Sequence, residues 1–82
     1  MTRTEMIEAC DKALATLAAQ RASKASPRDR LADHNGDDVR AIRGDLESMS
    51  DADYAEVASP EAIDANMGVI NALARLADSR SR

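Results

Sequence analysis

The segment Val39–Tyr54 reads VRAIRGDLESMSDADY, and it carries the strongest indication of how this chain folds. Its apolar residues follow one another at steps of three, four and three, the spacing that places side chains on one face of an α-helix. These residues are Val39, Ile42, Leu46 and Met49. The stripe predicts a helix over residues 38–49.

The end of that helix is marked by a second pattern. Ser50 and Asp53 have the spacing of a capping box, in which a serine side chain begins a new helix. Met49 and Tyr54 occupy the two positions of a hydrophobic staple around it. The pattern predicts a sharp change of direction at Ser50 and a short helix over residues 51–58.

Similar starts occur on both sides of this segment. Thr2 and Glu5 form another capping-box pattern ahead of an apolar stripe, which predicts a helix over residues 3–24. Ser59 precedes a proline, a residue that suits the first position of a helix, and this predicts a helix over residues 60–78.

The connection between the first two long helices is less regular. Residues 25–36 predict either a connecting loop or a short helix over residues 27–33 that stops at Asn35-Gly36. No segment alternates with the period of a strand. We therefore expect one all-α domain over residues 1–82, an irregular bundle of three main helices plus one or two short ones.

Length and composition allow only a thin core. The 82 residues include no Phe or Trp, and the 17 alanines outnumber the 13 Leu, Ile and Val residues together. Folding is nevertheless favoured, because the caps and the apolar stripes agree with one another. Such a domain is expected to be marginal alone and to gain stability from a partner or a second copy.

The charge is concentrated in one stretch. Seven acidic residues and no Lys or Arg lie between Gly44 and Ala74. A surface of this sign, on a chain of net charge −4, disfavours nucleic acid and anionic membranes and favours a partner protein with a basic surface. The expected partner contacts are Asp45, Glu47, Asp51, Asp53, Glu56 and Asp64, with Tyr54 as a packing anchor.

In size and charge, though in no motif, the chain resembles phage-encoded inhibitors such as anti-CRISPR and anti-restriction proteins. The resemblance implies a non-catalytic protein that binds and blocks a basic surface, including one that binds nucleic acid.

Two other functions are compatible with the sequence. Small residues recur at helical spacing in a seam that would let two helices approach closely, which predicts a homodimer or a helical adaptor. They are Ala62, Ala65, Gly68 and Ala72. The third alternative is a divalent-cation module, because Asp33, Asn35 and Asp37 have part of the spacing of a calcium loop.

The sequence does not indicate an enzyme. Cys10 lies between Ile7 and Leu14 on an apolar stripe, which predicts core packing, and His34 is expected in a surface loop without a nucleophile nearby. No glycine-rich phosphate-binding loop, CxxC pair or His-x-x-x-His spacing occurs, so no cofactor is expected. One cysteine and the absence of an apolar leader predict a cytoplasmic protein.

Overall fold

A computed structural model describes residues 1–19 and 27–80 of the chain. These residues form four α-helices: α1 (Arg3–Ala19), α2 (Pro27–Ser48), α3 (Asp51–Val57) and α4 (Pro60–Arg80). No strand occurs in the described part. The prediction of an all-α bundle with three main helices and a short one is confirmed.

The predicted helix starts are present as hydrogen bonds. The Thr2 hydroxyl accepts from the Glu5 amide at 3.1 Å, and the Glu5 carboxylate accepts from the Thr2 amide at 2.8 Å. Hydrogen bonding to Thr2, above all from its backbone amide, lowers the pKa of the Glu5 carboxyl because it favours the charged form. The predicted helix over residues 3–24 is seen to Ala19, and its last five residues lie outside the described part.

Serine side chains cap the N-termini of α3 and α4. The Ser50 hydroxyl accepts from the Asp53 amide at 3.0 Å, and the Ser59 hydroxyl accepts from the Ala62 amide at 3.1 Å. Each bond satisfies one of the amides that a helix start leaves without an internal partner. Consequently α3 and α4 begin where the sequence predicted.

The second long helix differs from the prediction. A helix stop at Asn35-Gly36 was expected, but α2 continues through these residues from Pro27 to Ser48, so the predicted break and loop are wrong. The reason is a buried face of small residues: Ala32, Gly36 and Val39 are buried at steps of four and three. The packing of this face outweighs the local preference of Asn-Gly for a turn.

The core lies along the axis shared by α1, α2 and α4, each of which contacts the other two. Buried positions on α1 and α2 follow steps of three and four residues, as in packed helical bundles. The buried residues are Met6, Cys10, Ala13, Leu17, Ala32, Val39, Leu46, Tyr54, Ile70, Leu73 and Ala77. Several are alanines, and the helices can therefore approach one another closely.

Helices α1 and α2 come close together at Gly36. A Cβ atom placed on Gly36 would lie 2.7 Å from the Cδ2 atom of Leu17, well inside van der Waals contact. Leu17 is itself buried in the core, so its side chain would have to shift among packed neighbours to accept an alanine at position 36. This shift opposes the gain of about 1 kcal/mol that alanine has over glycine in an exposed helix.

This contact predicts opposite outcomes for two glycines of the same helix. Gly44 is exposed, and a Cβ there meets no atom within 4 Å. Gly44→Ala should raise the melting temperature by several degrees, because about 1 kcal/mol of helix propensity is gained. Gly36→Ala should lower it, since overpacking costs about 1–3 kcal/mol. Thermal unfolding followed by circular dichroism measures both.

A double-mutant cycle tests whether the Leu17 methyl group is what makes Gly36→Ala destabilising. Truncating Leu17 to Ala should make Gly36→Ala less costly than it is in the wild-type protein, because the clashing methyl group is gone. Equal stabilisation by Gly36→Ala and Gly44→Ala would show that α1 and α2 are further apart than described.

Candidate functional site

The short helix α3 is attached to the bundle by Tyr54. This side chain is only 9% exposed, and its hydroxyl donates a hydrogen bond to the Met1 carbonyl oxygen at 2.7 Å. The sequence suggested Tyr54 as an anchor for a partner, but the structure places it inside this chain's own core. Its role is to hold α3 against the beginning of α1.

Arg3 makes a second attachment at the same end of the bundle. Its Nε atom lies 2.9 Å from the Asp51 carboxylate, and its Nη1 atom donates to the Leu46 carbonyl at 2.9 Å. One side chain on α1 therefore holds both the last turn of α2 and the first turn of α3. Sequence reasoning did not identify Arg3, because its partners are more than 40 residues away.

An apolar cleft of about 250 Å³ lies between the end of α2, α3 and the beginning of α4. Val57 on its wall is 60% exposed, the most exposed of the large apolar side chains described. The cleft is lined by Met6, Ile42, Asp45, Leu46, Met49, Tyr54, Val57, Ala58, Ala62, Ile63 and Asn66. Only Asp45 among these residues carries a charge.

All seven carboxylates between Gly44 and Ala74 are exposed, as the sequence suggested, but they do not share one environment. Glu47 lies 2.6 Å from Arg43, which also bonds to Asp11 and joins α1 to α2. Asp11 and Glu47 raise the pKa of the Arg43 guanidinium, and the hydrogen bond that Arg43 donates to Asp11 has the largest effect. Asp51 is the partner of Arg3.

The other five carboxylates have no basic partner within 4 Å among the described residues. They are Asp45, Asp53, Glu56, Glu61 and Asp64. Asp45 lines the cleft, and Asp53 lies one helical turn before Val57 on α3. At about 100° per residue, Asp64 lies on the side of α4 away from the cleft-lining Ala62 and Ile63. The negative charge therefore surrounds this end of the bundle and does not form one flat face.

The predicted small-residue seam lies partly in solvent. Ala65 and Gly68 are exposed, Ala62 and Ala72 are half-buried, and Ala62 lines the cleft. A Cβ on Gly68 would meet no atom within 4 Å. Nothing in the described packing of this chain requires glycine there, so an internal seam through Gly68 is not formed.

The residues proposed for a divalent cation lie on helix α2 and not on a loop. Positions two residues apart on an α-helix differ in direction by about 200°, so Asn35 points away from Asp33 and Asp37. Asp37 lies 2.8 Å from Arg40. In the described part of the chain, no group of three His, Cys, Asp or Glu side chains is placed to hold a metal ion. The loop required by the calcium hypothesis is therefore absent.

The two candidate nucleophiles or bases have ordinary surroundings. Cys10 is fully buried, and burial raises the pKa of its thiol, so the reactive thiolate is disfavoured. His34 is exposed, as expected, but it lies on α2 and not in a loop, with its Nε2 atom 3.8 Å from Asp38. Neither residue lines the cleft.

A second apolar groove, of about 300 Å³, runs between α1 and α4 on another side of the bundle. It is lined by Ala9, Lys12, Ala13, Thr16, Met67, Ile70, Asn71 and Ala74. Lys12 is its charged residue, whereas the cleft at α3 has Asp45. The two apolar surfaces therefore differ in the sign of their charge.

The attachment of α3 predicts a local effect of one substitution. Tyr54→Phe removes the hydrogen bond to Met1 and should lower stability by about 1 kcal/mol. The amides of α3 should exchange with solvent faster, while those in the middle of α1, α2 and α4 change little, because α3 depends most on this bond. Amide hydrogen exchange followed by NMR measures the difference.

Tyr54→Ala provides the comparison, because it also removes the buried ring and should destabilise the whole bundle by about 3–5 kcal/mol. If Tyr54→Phe accelerated exchange uniformly in all four helices, the description of α3 as a locally held element would be wrong.

None of the helices in the described ranges is long and apolar enough to cross a membrane. Comparison with protein-family models, with curated proteins and with solved structures finds no match. The described part of the chain offers an apolar cleft bordered by the short helix α3 and lined by Asp45, with further exposed carboxylates at the same end of the bundle.

Proposed function

We propose that this chain is a non-catalytic interaction protein that binds a basic surface of a partner protein through the end of the bundle formed by residues 45–64. The observation that carries the proposal is the exposure of all seven carboxylates in this region together with the absence of any Lys or Arg between Gly44 and Ala74.

The charge at this end is only partly neutralised within the chain. Arg3 and Arg43 each contact one of the seven carboxylates, and no described basic residue lies within 4 Å of the other five. Carboxylates that are exposed and unpaired create a negative potential that attracts a positively charged surface over a distance of about 10 Å at 0.1 M salt. Association should therefore be fast and sensitive to salt.

The basic surface of the partner is, in this proposal, a groove that binds nucleic acid. Basic grooves on proteins commonly hold nucleic acid phosphates. A small acidic protein that occupies such a groove would exclude the nucleic acid and block its function, as inhibitors of the anti-CRISPR and anti-restriction type do. The support for this part of the proposal is the size and the sign of charge of the chain.

Reversing two of the unpaired charges tests the proposal. Glu56→Lys/Asp64→Lys should strongly weaken salt-sensitive capture of basic proteins, because the summed charge of the five unpaired positions falls from −5 to −1. The protein is immobilised, exposed to a bacterial lysate at low salt, and eluted by rising salt or by added DNA. A partner that is captured through a nucleic-acid groove should also be released by the DNA.

The matched control carries the same charge change on α1 and the middle of α2. Glu8→Lys/Asp38→Lys also changes the formal net charge from −4 to zero, at exposed residues outside the proposed surface. Capture should persist in this control. If both double variants lost capture equally while keeping the wild-type melting temperature, net charge and not the 45–64 surface would be responsible.

A homodimer is the second candidate, and the exposed position of Gly68 favours it. Glycine in the middle of a helix is unfavourable, and the folded chain does not explain its presence at position 68. A second copy packed against Gly68 and Ala65 would explain it, because close helix approach requires small residues.

Gly68→Ala distinguishes a monomer from this dimer. In a monomer the substitution should stabilise the protein by about 1 kcal/mol, since the added methyl group meets open space. In a dimer it should weaken self-association. Thermal unfolding measures the change in stability, and sedimentation across a concentration series measures self-association. A wild-type protein that stays monomeric throughout would exclude the seam.

A further inference from the structure

We propose that the apolar cleft between α2, α3 and α4 receives one large apolar side chain from a basic segment of the partner. The inference rests on the proposed function and extends it, because it specifies the chemistry of the segment that is bound. The segment carries a leucine-sized side chain flanked by Lys or Arg residues.

The size of the cleft favours a side chain over a free ligand. Pockets for drug-sized molecules usually measure about 300–1,000 Å³. The cleft, at about 250 Å³, is smaller and is open to solvent between α3 and α4. It therefore has room for the end of one aliphatic or aromatic side chain that projects from a protein surface.

The lining of the cleft favours an apolar occupant. Tyr54 and Leu46 form a buried floor, whereas Val57 on the wall remains 60% exposed in the unbound chain. Covering Val57 and the half-buried Met49 and Ile63 would remove apolar surface from water. An anchor side chain inserted into such a pocket is the usual source of binding energy at the centre of an interface.

The charge around the cleft determines what flanks that anchor. Asp45 lies in the lining of the cleft, and Asp53 lies one turn from Val57 on the same helix. Neither has a basic partner within 4 Å in the described part of the chain. Lys or Arg residues on either side of the anchor would therefore meet unpaired carboxylates at the rim.

The same charges disfavour a second copy of this chain as the occupant. The segment between Gly44 and Ala74, which supplies most of the cleft, carries seven carboxylates and no Lys or Arg, and Arg3 and Arg43 contact only one of these carboxylates each. Two such ends brought together would repel each other. The groove between α1 and α4, with Lys12 on its lining, lacks this negative rim and serves as an internal reference.

The experiment uses the full chain and two synthetic peptides. Both are Lys/Arg-rich, and they differ only in having Leu or Ala at the central position. The leucine peptide should bind at least about tenfold more tightly, because its side chain is removed from water. With ¹³C-labelled methionine methyl groups, Met49 in the cleft should shift on binding, while Met67 in the α1–α4 groove should not.

Matched alanine variants locate the bound side chain. Ala62→Leu fills the cleft without changing charge and should remove the advantage of the leucine peptide, whereas Ala65→Leu, on the exposed side of α4, should retain it. If the Ala62→Leu protein does not fold, Val57→Ser is the alternative, because it removes exposed apolar surface from the wall of the cleft. It should reduce severalfold the ratio by which the leucine peptide binds more tightly than the alanine peptide.

The outcomes separate this inference from the proposed function. If the two peptides bound the wild-type chain equally, or the Met49 methyl group did not shift, the cleft would not hold the anchor, although the acidic surface could still bind. If Asp45→Lys/Asp53→Lys, which reverses the two carboxylates beside the cleft, weakened neither peptide, the acidic surface around the cleft would itself be overturned. If Ala62→Leu and Ala65→Leu had equal effects, the cleft assignment would also be wrong.

Discussion

The contact between Gly36 on α2 and Leu17 on α1 sets how closely these two helices pack. A Cβ atom on residue 36 would lie 2.7 Å from a Leu17 methyl carbon, so the lack of a side chain at Gly36 lets the helices come close together. Close approach allows a chain with no Phe or Trp and many alanines to form a buried core. It also requires α2 to continue without a break through Asn35 and Gly36.

A continuous α2 has consequences for both ends of the molecule. It removes the loop on which a calcium site would depend and leaves the polar side of the helix to ion pairs such as Asp37–Arg40. It also extends the bundle as far as Ser48, where α3 turns back under the control of Tyr54 and Arg3. The apolar cleft exists because seven residues of α3 cover only part of the apolar surface there.

Much of this could be predicted from local patterns. The capping residues Thr2, Ser50 and Ser59 identified three helix starts, because a cap acts within three residues of its own position. The continuation of α2 was not predicted, because its buried face there consists of Ala32 and Gly36, which are too small to stand out as an apolar stripe. These two residues lie seven and three positions before Val39 and therefore share its face of the helix.

The helix starts, the all-α class and the exposed acidic stretch follow from the amino-acid sequence, because caps, periodicity and charge act locally or depend only on solvent. The packing at Gly36, the burial of Tyr54 and the joining of three helices by Arg3 arise from the packed bundle. The cleft beside Asp45 arises there too. These features depend on residues far apart in the chain, and their contacts exist only after the helices have packed.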